Sequence, residues 1–530
     1  YGEFRLDHGS RVYPLRARVY REGGGYSDAG RIVRVDGSSF LSLPSLGERS
    51  IIHVSYYADN PFSLRGDSVF FATPLLEVHD FDEALGVFSC RVTVPEDMDV
   101  RVVFTGGPVS KRRRDGGMEY SMRIENRAPV RVEKAMGNRL NYLPIYAIST
   151  MCDKKDFVRW YNSLIRGSSD LRADDIRSKF GSRDVRDTIR AVYEYVSREI
   201  DTLGNVLYYP DSAAATMMKK RGTPEDKAVL SRAILECLGI RSYIAFAAER
   251  DFPDLGGFVS PAGFTHALLF VPIDRHRGVW MDYSRSYNGF GVVVPALEGA
   301  DALVVIRDYA EIRTIAGSRM DGSRIDLDVR LEDGGNAVFR GRVSFHGGRE
   351  GLRSLFFNAD TREEMINRLL GRMFPAFSLD DFQMEGLDSV DGPFDLRISG
   401  RAFAITATTP DRIILTPVLN ESEALGLADE RARTHPYRII RPVNESERYR
   451  FRLPDGYRKA AIEREDSLKS RFGYASIRAS KAAGETELVV EKEVHVGAAR
   501  IEPADYGEFV DFCEGIQRAE RRYVIIEKTE

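Results

Sequence analysis

The apolar residues of this chain change their spacing twice, and that limits the folds open to it more than any other feature. Up to about residue 147 they alternate with polar residues, in stretches 12–20, 51–57, 68–72, 87–94 and 101–105, separated by Gly, Pro, Asn or Asp. Beyond Pro144 the spacing turns helical. Phe157, Trp160, Tyr161, Leu164 and Ile165 make one stripe, and Val185, Ile189, Val192, Tyr193 and Val196 make another. From about 319 the alternation returns with Ile325, Leu327, Val329 and Leu331, then with Phe339, Val343 and Phe345 after an Asp333-Gly334-Gly335-Asn336 turn. Period two marks a half-buried strand and period 3.6 an amphipathic helix. The pattern predicts an α+β multidomain chain: a β-sandwich over 1–147, an α+β domain over 148–318, and a β-rich C-terminal region over 319–530. In the last region, helices are expected at 361–373 and around Tyr506, Phe509, Val510, Cys513 and Ile516.

A length of 530 residues is far beyond one hydrophobic core. Apolar residues at 43 % and charged residues at 29 % exclude a mainly disordered chain. The 76 basic and 80 acidic residues are interspersed, and a net charge of −4 argues against nucleic acid as the main partner. Apolar runs such as 267–273 fall far short of the ~20 residues that span a bilayer, so no membrane-spanning segment is expected. The basic run 111–117 reads as a solvated hairpin tip. Cys90, Cys152, Cys237 and Cys513 lie far apart, and the eight histidines form no HExxH, so no metal site is expected. Walker, GxGxxG and GxSxG motifs are missing too, and no cofactor is expected.

The stretch richest in chemistry is Arg221-Gly222-Thr223-Pro224-Glu225-Asp226-Lys227-Ala228-Val229-Leu230, which continues to Cys237-Leu238-Gly239-Ile240. Two later segments accompany it: Phe264-Thr265-His266-Ala267-Leu268-Leu269-Phe270-Val271 and Val279-Trp280-Met281-Asp282-Tyr283. Their order resembles the transglutaminase-like superfamily, which shares a papain-like core. In that family a nucleophilic Cys opens a helix, a His starts the second strand after it, and an Asp ends the third. The helix start and a nearby His⁺ lower the thiol pKa, and the Asp orients the His. The resemblance puts His266 at the His position and Asp282 at the Asp position.

The family's Cys position, in a pattern of roughly Gly-Asp-Cys-Lys-Asp-Lys-Ala, holds Pro224. Proline brings no nucleophile and no backbone donor. It suits the first helical position, with Thr223 as N-cap and Asp226 in the first turn. Thr223 adjoins the lost site, but its expected task is capping. Cys237 lies about 20 Å further along the same helix and is expected in the core. A lone His266 and Asp282 then read as structural residues, or as a polar network fixing the sheet. If a cleft persists, Thr223, Trp280 and the loop with Asn288 and Gly289 are its expected walls.

The likeness extends over the chain. Segments 42–57, 143–150 followed by Trp160-Tyr161, 295–305 and 453–457 resemble those of bacterial proteins with a β-sandwich domain of unknown function before a transglutaminase-like domain and a β domain after it. The resemblance implies a non-catalytic binding or assembly module at a bacterial cell envelope, or in the periplasm, with a protein or peptide ligand. The alternative is a peptidase, amidase or acyl transferase with an unusual nucleophile. A start at Tyr1 without Met suggests an N-terminally truncated sandwich and a C-terminal portion of a larger exported protein.

Overall fold

In the computed structural model, alternation becomes strand and helical spacing becomes helix. The structure describes residues 3–5, 11–21, 23–28, 32–35, 38–42, 50–59 and 70–528. Within the last stretch, positions 74, 115, 182–183, 205–207, 275–276, 286–287, 318–321, 347–352, 358, 388, 390–393, 429–431, 459–463, 482–485 and 498 lie outside the described residues. The chain is strand-rich, α+β and multidomain.

The first region forms three-stranded sheets. Arg11–Tyr20 pairs with Ile51–Asp59, Leu85–Val94 with Gly117–Arg127, and Arg101–Phe104 with Ile145–Ser149, all antiparallel. Of the strand expected at 68–72, residues 68–69 lie outside the described residues, and the rest makes only an isolated bridge from Ala72 to Ser149. Side-chain bonds reinforce the pairing there: the Phe71 N–H donates to Thr150 Oγ1 and the Ile148 N–H to Thr73 Oγ1, beside backbone bonds from the Thr73 N–H to Ile148 O and from the Thr150 N–H to Phe71 O. The basic run is one side of a hairpin. Ser110–Arg114 is an edge strand with every residue exposed, and its Lys and Arg side chains keep further strands from pairing.

The middle region supplies α1 (Lys154–Leu164), α2 (Ala173–Phe180), α3 (Val185–Glu199), α4 (Ala213–Lys219) and α5 (Pro224–Cys237). A five-stranded antiparallel sheet follows, in the order Gly278–Met281, His266–Pro272, Tyr243–Ala247, Asp301–Ile306, Tyr309–Thr314. Ala267, Leu269, Val271 and Met281 point toward α5 and share its core with Leu230 and Ile234. Leu268, Phe270 and Trp280 point the other way, onto Val293, Val294 and Leu297. A sheet covered on both faces needs apolar residues at consecutive positions. This explains the 267–271 run. Leu230 is fully buried, and Leu230→Ala would cost about 2–5 kcal/mol.

The C-terminal region is built on an eight-stranded sheet. Its two halves meet where Gly322–Leu331 runs parallel to Val443–Arg452; the other pairings are antiparallel. Ala359–Met373 and Tyr506–Glu520 are helices, the first beginning two residues before the expected 361.

Candidate functional site

The start of α5 is closed by side chains rather than open to a ligand. Thr223 is the N-cap: its Oγ1 accepts the Asp226 N–H at 3.2 Å, and Asp226 Oδ2 accepts the Thr223 N–H at 2.7 Å. Asp226 Oδ1 accepts the Asp211 N–H at 2.8 Å, which anchors the preceding loop. Pro224 is buried at the first helical position, where its missing N–H would have had no helical partner anyway. Gly222 is required by this closeness, since a Cβ there would stand 2.8 Å from the Asp226 Cβ.

Two further charges are buried in the same turn. Glu225, 1 % exposed, accepts the Tyr208 N–H and lies beside the Tyr161 hydroxyl; burial raises its pKa to about 7. Lys227, also 1 % exposed, donates to Ile200 O at 2.8 Å and to Thr202 Oγ1 at 2.9 Å; burial lowers its pKa to about 8. Positions two apart on a helix do not face each other, so each group finds its own partners. The helix start is a knot of structural hydrogen bonds.

Asp282 is fully buried, and both its oxygens are in use. Oδ1 accepts the Ser284 N–H at 2.8 Å and Oδ2 the Val294 N–H at 2.9 Å, which pins both ends of the 284–294 loop. The Tyr193 hydroxyl adds bonds to Asp282 O and Asn288 O. His266 has its Nδ1 on Thr265 Oγ1 at 2.8 Å. Among the described residues, no hydrogen bond joins His266 to Asp282.

His266 lines a cleft of about 490 Å³ with Glu249, Ser284, Arg285, Ile440 and Arg441. Of the walls expected from the sequence, none borders this cleft. Thr223 caps α5; Trp280 is 6 % exposed and packs on Phe270 with ring centroids 4.7 Å apart. Asn288 is 4 % exposed, and the Gly289 carbonyl closes a turn to the Val292 N–H. Tyr287 lies outside the described residues. Sequence reasoning missed Glu249, Ser284 and Arg285, though the last two stand just after Asp282-Tyr283. It had no signal for Ile440 and Arg441, which arrive from the C-terminal region.

Cys237 was expected in the core and is half-buried instead. It is the last residue of α5, where the chain turns away, and its carbonyl takes the Arg177 Nε–H. No cysteine lines the His266 cleft. Among the described residues, no group of three His, Cys, Asp or Glu is placed to hold a metal, and no helix is long and apolar enough to cross a membrane.

Comparison with known proteins supplies a fold. The chain resembles the crystal structure of a "putative protease" from Parabacteroides distasonis ATCC 8503 at a TM-score of 0.64 and 13 % identity, over 99 % of this chain and 92 % of the other. The likeness is one of architecture. A "putative cysteine protease" from Cytophaga hutchinsonii matches 41 % of this chain and 79 % of its own, at 13 % identity and a TM-score of only 0.20. Residues 411–526 match the model of DUF3858, a domain of unknown function with a solved structure. None of the curated proteins compared with the chain matches it.

Proposed function

We propose that this protein is a non-catalytic member of the transglutaminase-like superfamily, a binding or assembly module with a protein or peptide ligand. In this reading 1–147 is a β-sandwich, 148–318 the transglutaminase-like domain, and 319–530 a β-rich C-terminal region. A bacterial cell envelope is the setting that the family resemblance favours. The supporting observation is that both Asp282 oxygens are committed to backbone amides, with no bond to His266, while the helix position that the family gives to Cys holds buried Pro224. A His without an orienting acid and a helix start without a nucleophile cannot carry acyl transfer through a covalent intermediate. The cleft at His266 remains as a binding site.

The test is turnover of peptide amides and γ-glutamyl amides by the whole chain, expected at background. In Pro224→Cys a thiol returns to the start of α5, and turnover is expected to stay at background because His266 and Asp282 are not paired. Turnover by the wild-type chain, abolished by His266→Ala, would overturn this reading.

One observation favours a peptidase instead. Ser284 lines the cleft with His266, and its hydroxyl oxygen is buried without a hydrogen-bond partner. A serine becomes a nucleophile once a His takes its proton. Wild-type turnover lost in Ser284→Ala and retained in Pro224→Ala would establish that alternative.

A further inference from the structure

The His266 cleft does not end at Ile440. A second cleft, of about 240 Å³, shares Ile440 and Ala296 with it and runs on along the seam between the middle and C-terminal regions. The first contributes Arg285, Arg441 and His266, the second Arg250, Arg438 and Arg500. Against these stand Glu249 and Asp251. Asp251 is already engaged, since its Oδ2 accepts the Asn138 N–H at 2.8 Å. Arg500 is paired with Glu502 at 2.6 Å. Arg250 donates to a carbonyl, Glu298 O at 3.2 Å, and among the described residues it has no ion pair. Among the described residues, Arg285 and Arg438 have no ion pair. A chain of net charge −4 thus gathers cations along one groove.

The floor of the groove is apolar. Ile440 is 45 % exposed and stands between the two basic stretches, with Val294, Pro295 and Ile439 beside it. Basic walls over an apolar floor match a ligand that alternates carboxylates with apolar side chains. A long polyanion fits less well, because the molecule as a whole repels it.

We infer that the groove from His266 to Arg500 binds an acidic peptide segment, with carboxylates on Arg285 and Arg438 and an apolar side chain on Ile440. This rests on reading the His266 cleft as a binding site, and it adds the class of ligand. Interactions of this kind weaken as salt screens them, and reversing one wall charge puts like charges together.

The probe is a short fluorescein-labelled peptide of Glu-Leu-Gly repeats, followed by fluorescence polarisation with the whole chain. Lys-Leu-Gly and Gln-Leu-Gly peptides serve as controls and a heparin tetrasaccharide as competitor. The Glu peptide is expected to bind, the controls not, and affinity should fall steadily with NaCl. Arg285→Glu and Arg438→Glu should each weaken binding about ten-fold or more. Circular dichroism checks each variant. If half-buried Arg438→Glu does not fold, Arg285→Glu combined with Arg250→Glu takes its place, both being exposed. Equal binding of the Lys or Gln peptide, no binding of the Glu peptide, or unchanged affinity in the reversals would overturn the inference. Preferential binding of heparin would assign the groove to another class of anion and overturn it as well. Amide hydrolysis by the wild type would remove the non-catalytic reading only. The acid preference would then still be read from KM for Glu against Lys substrates.

Discussion

Glu225 occupies the second position of α5, where the helix dipole favours a negative charge, yet it is 1 % exposed and its pKa rises to about 7 from an ordinary 4.5. Desolvation wins because the dipole is worth under about 1 kcal/mol at most sites, whereas burying a carboxylate costs more. Between pH 4.5 and 7 the native state therefore binds a proton that the unfolded state has released. Stability contributed by this group is full below about 4.5, falls as pH rises, and levels off above about 7. The loss is on the order of 3 kcal/mol. Lys227 does not enter that window, because its pKa, although lowered to about 8, still lies above it. Glu225→Gln keeps an acceptor for the Tyr208 N–H and removes the charge. Its melting temperature should match wild type near pH 4.5 and exceed it at pH 7.5. Equal pH profiles for the two proteins by calorimetry would refute the assignment. At this scale the sequence was partly legible. Thr223, Pro224 and Asp226 announce a capped helix because their roles are local. The role of Asp282 was not, because what its oxygens accept depends on a loop that returns twelve residues later, at Val294.

Elements were legible where one face alone is buried. The alternation at Ile325, Leu327, Val329 and Leu331 gave the strand Gly322–Leu331, and the stripe on α3 gave Val185–Glu199. The short helices α2 and α4 were not anticipated, since eight and seven residues hold too few turns for a stripe to emerge. Strand order was not legible either, nor was what ties helix to sheet. The helix Tyr506–Glu520 is held to the eight-stranded sheet partly by a charge cluster that no local pattern reveals. Lys492 Nζ lies 2.7 Å from Glu520, 3.3 Å from Glu447 and 3.4 Å from Glu445, and all four residues are nearly inaccessible. Burial works against the Lys492 charge, but the three carboxylates outweigh it and hold its pKa above the ordinary lysine value. Burial raises Glu447 and Glu520, with Lys492 opposing. Removing one partner from such a cluster strands the rest without compensation. Lys492→Met should destabilise this region by about 3–5 kcal/mol. The destabilisation should shrink as pH falls toward 5, because protonation then relieves the stranded carboxylates. Urea titrations at pH 5 and pH 8 would measure both effects, and a loss independent of pH would contradict the cluster's role.

At the scale of the whole molecule, the three regions are joined by a segment that belongs to none of their sheets. The Glu133 carboxylate accepts the N–H groups of Thr434 at 2.8 Å and His435 at 3.0 Å, and pairs with Arg433 at 3.5 Å. The Arg438 N–H donates to Ala135 O at 2.7 Å, and Tyr142 packs edge-on against His435 with ring centroids 4.8 Å apart. On the other side, Asn138 N–H and Asn141 Nδ2 donate to Asp251. Sequence reading could not reach these contacts, because their partners stand from 110 to about three hundred residues apart and nothing periodic links them. The same contacts set the walls of the basic groove, since Asp251 and Arg438 both line it. Glu133→Ala would leave Arg433, only 4 % exposed, without its ion pair, and two backbone donors without their acceptor. Hydrogen bonds to a charged group contribute about 1.5–3 kcal/mol each, so the tie should loosen well before any single core melts. Calorimetry should then resolve a low-temperature transition that is merged with the main one in wild type. Limited proteolysis should cut near 133–142, a stretch that lies between the sheets. The Glu-Leu-Gly peptide should bind the variant more weakly even though no groove residue has changed, because the groove exists only while the middle and C-terminal regions are held together. A variant with separated transitions but unaltered peptide affinity would show that one region alone forms the groove, and that the tie at Glu133 serves stability without shaping the binding surface.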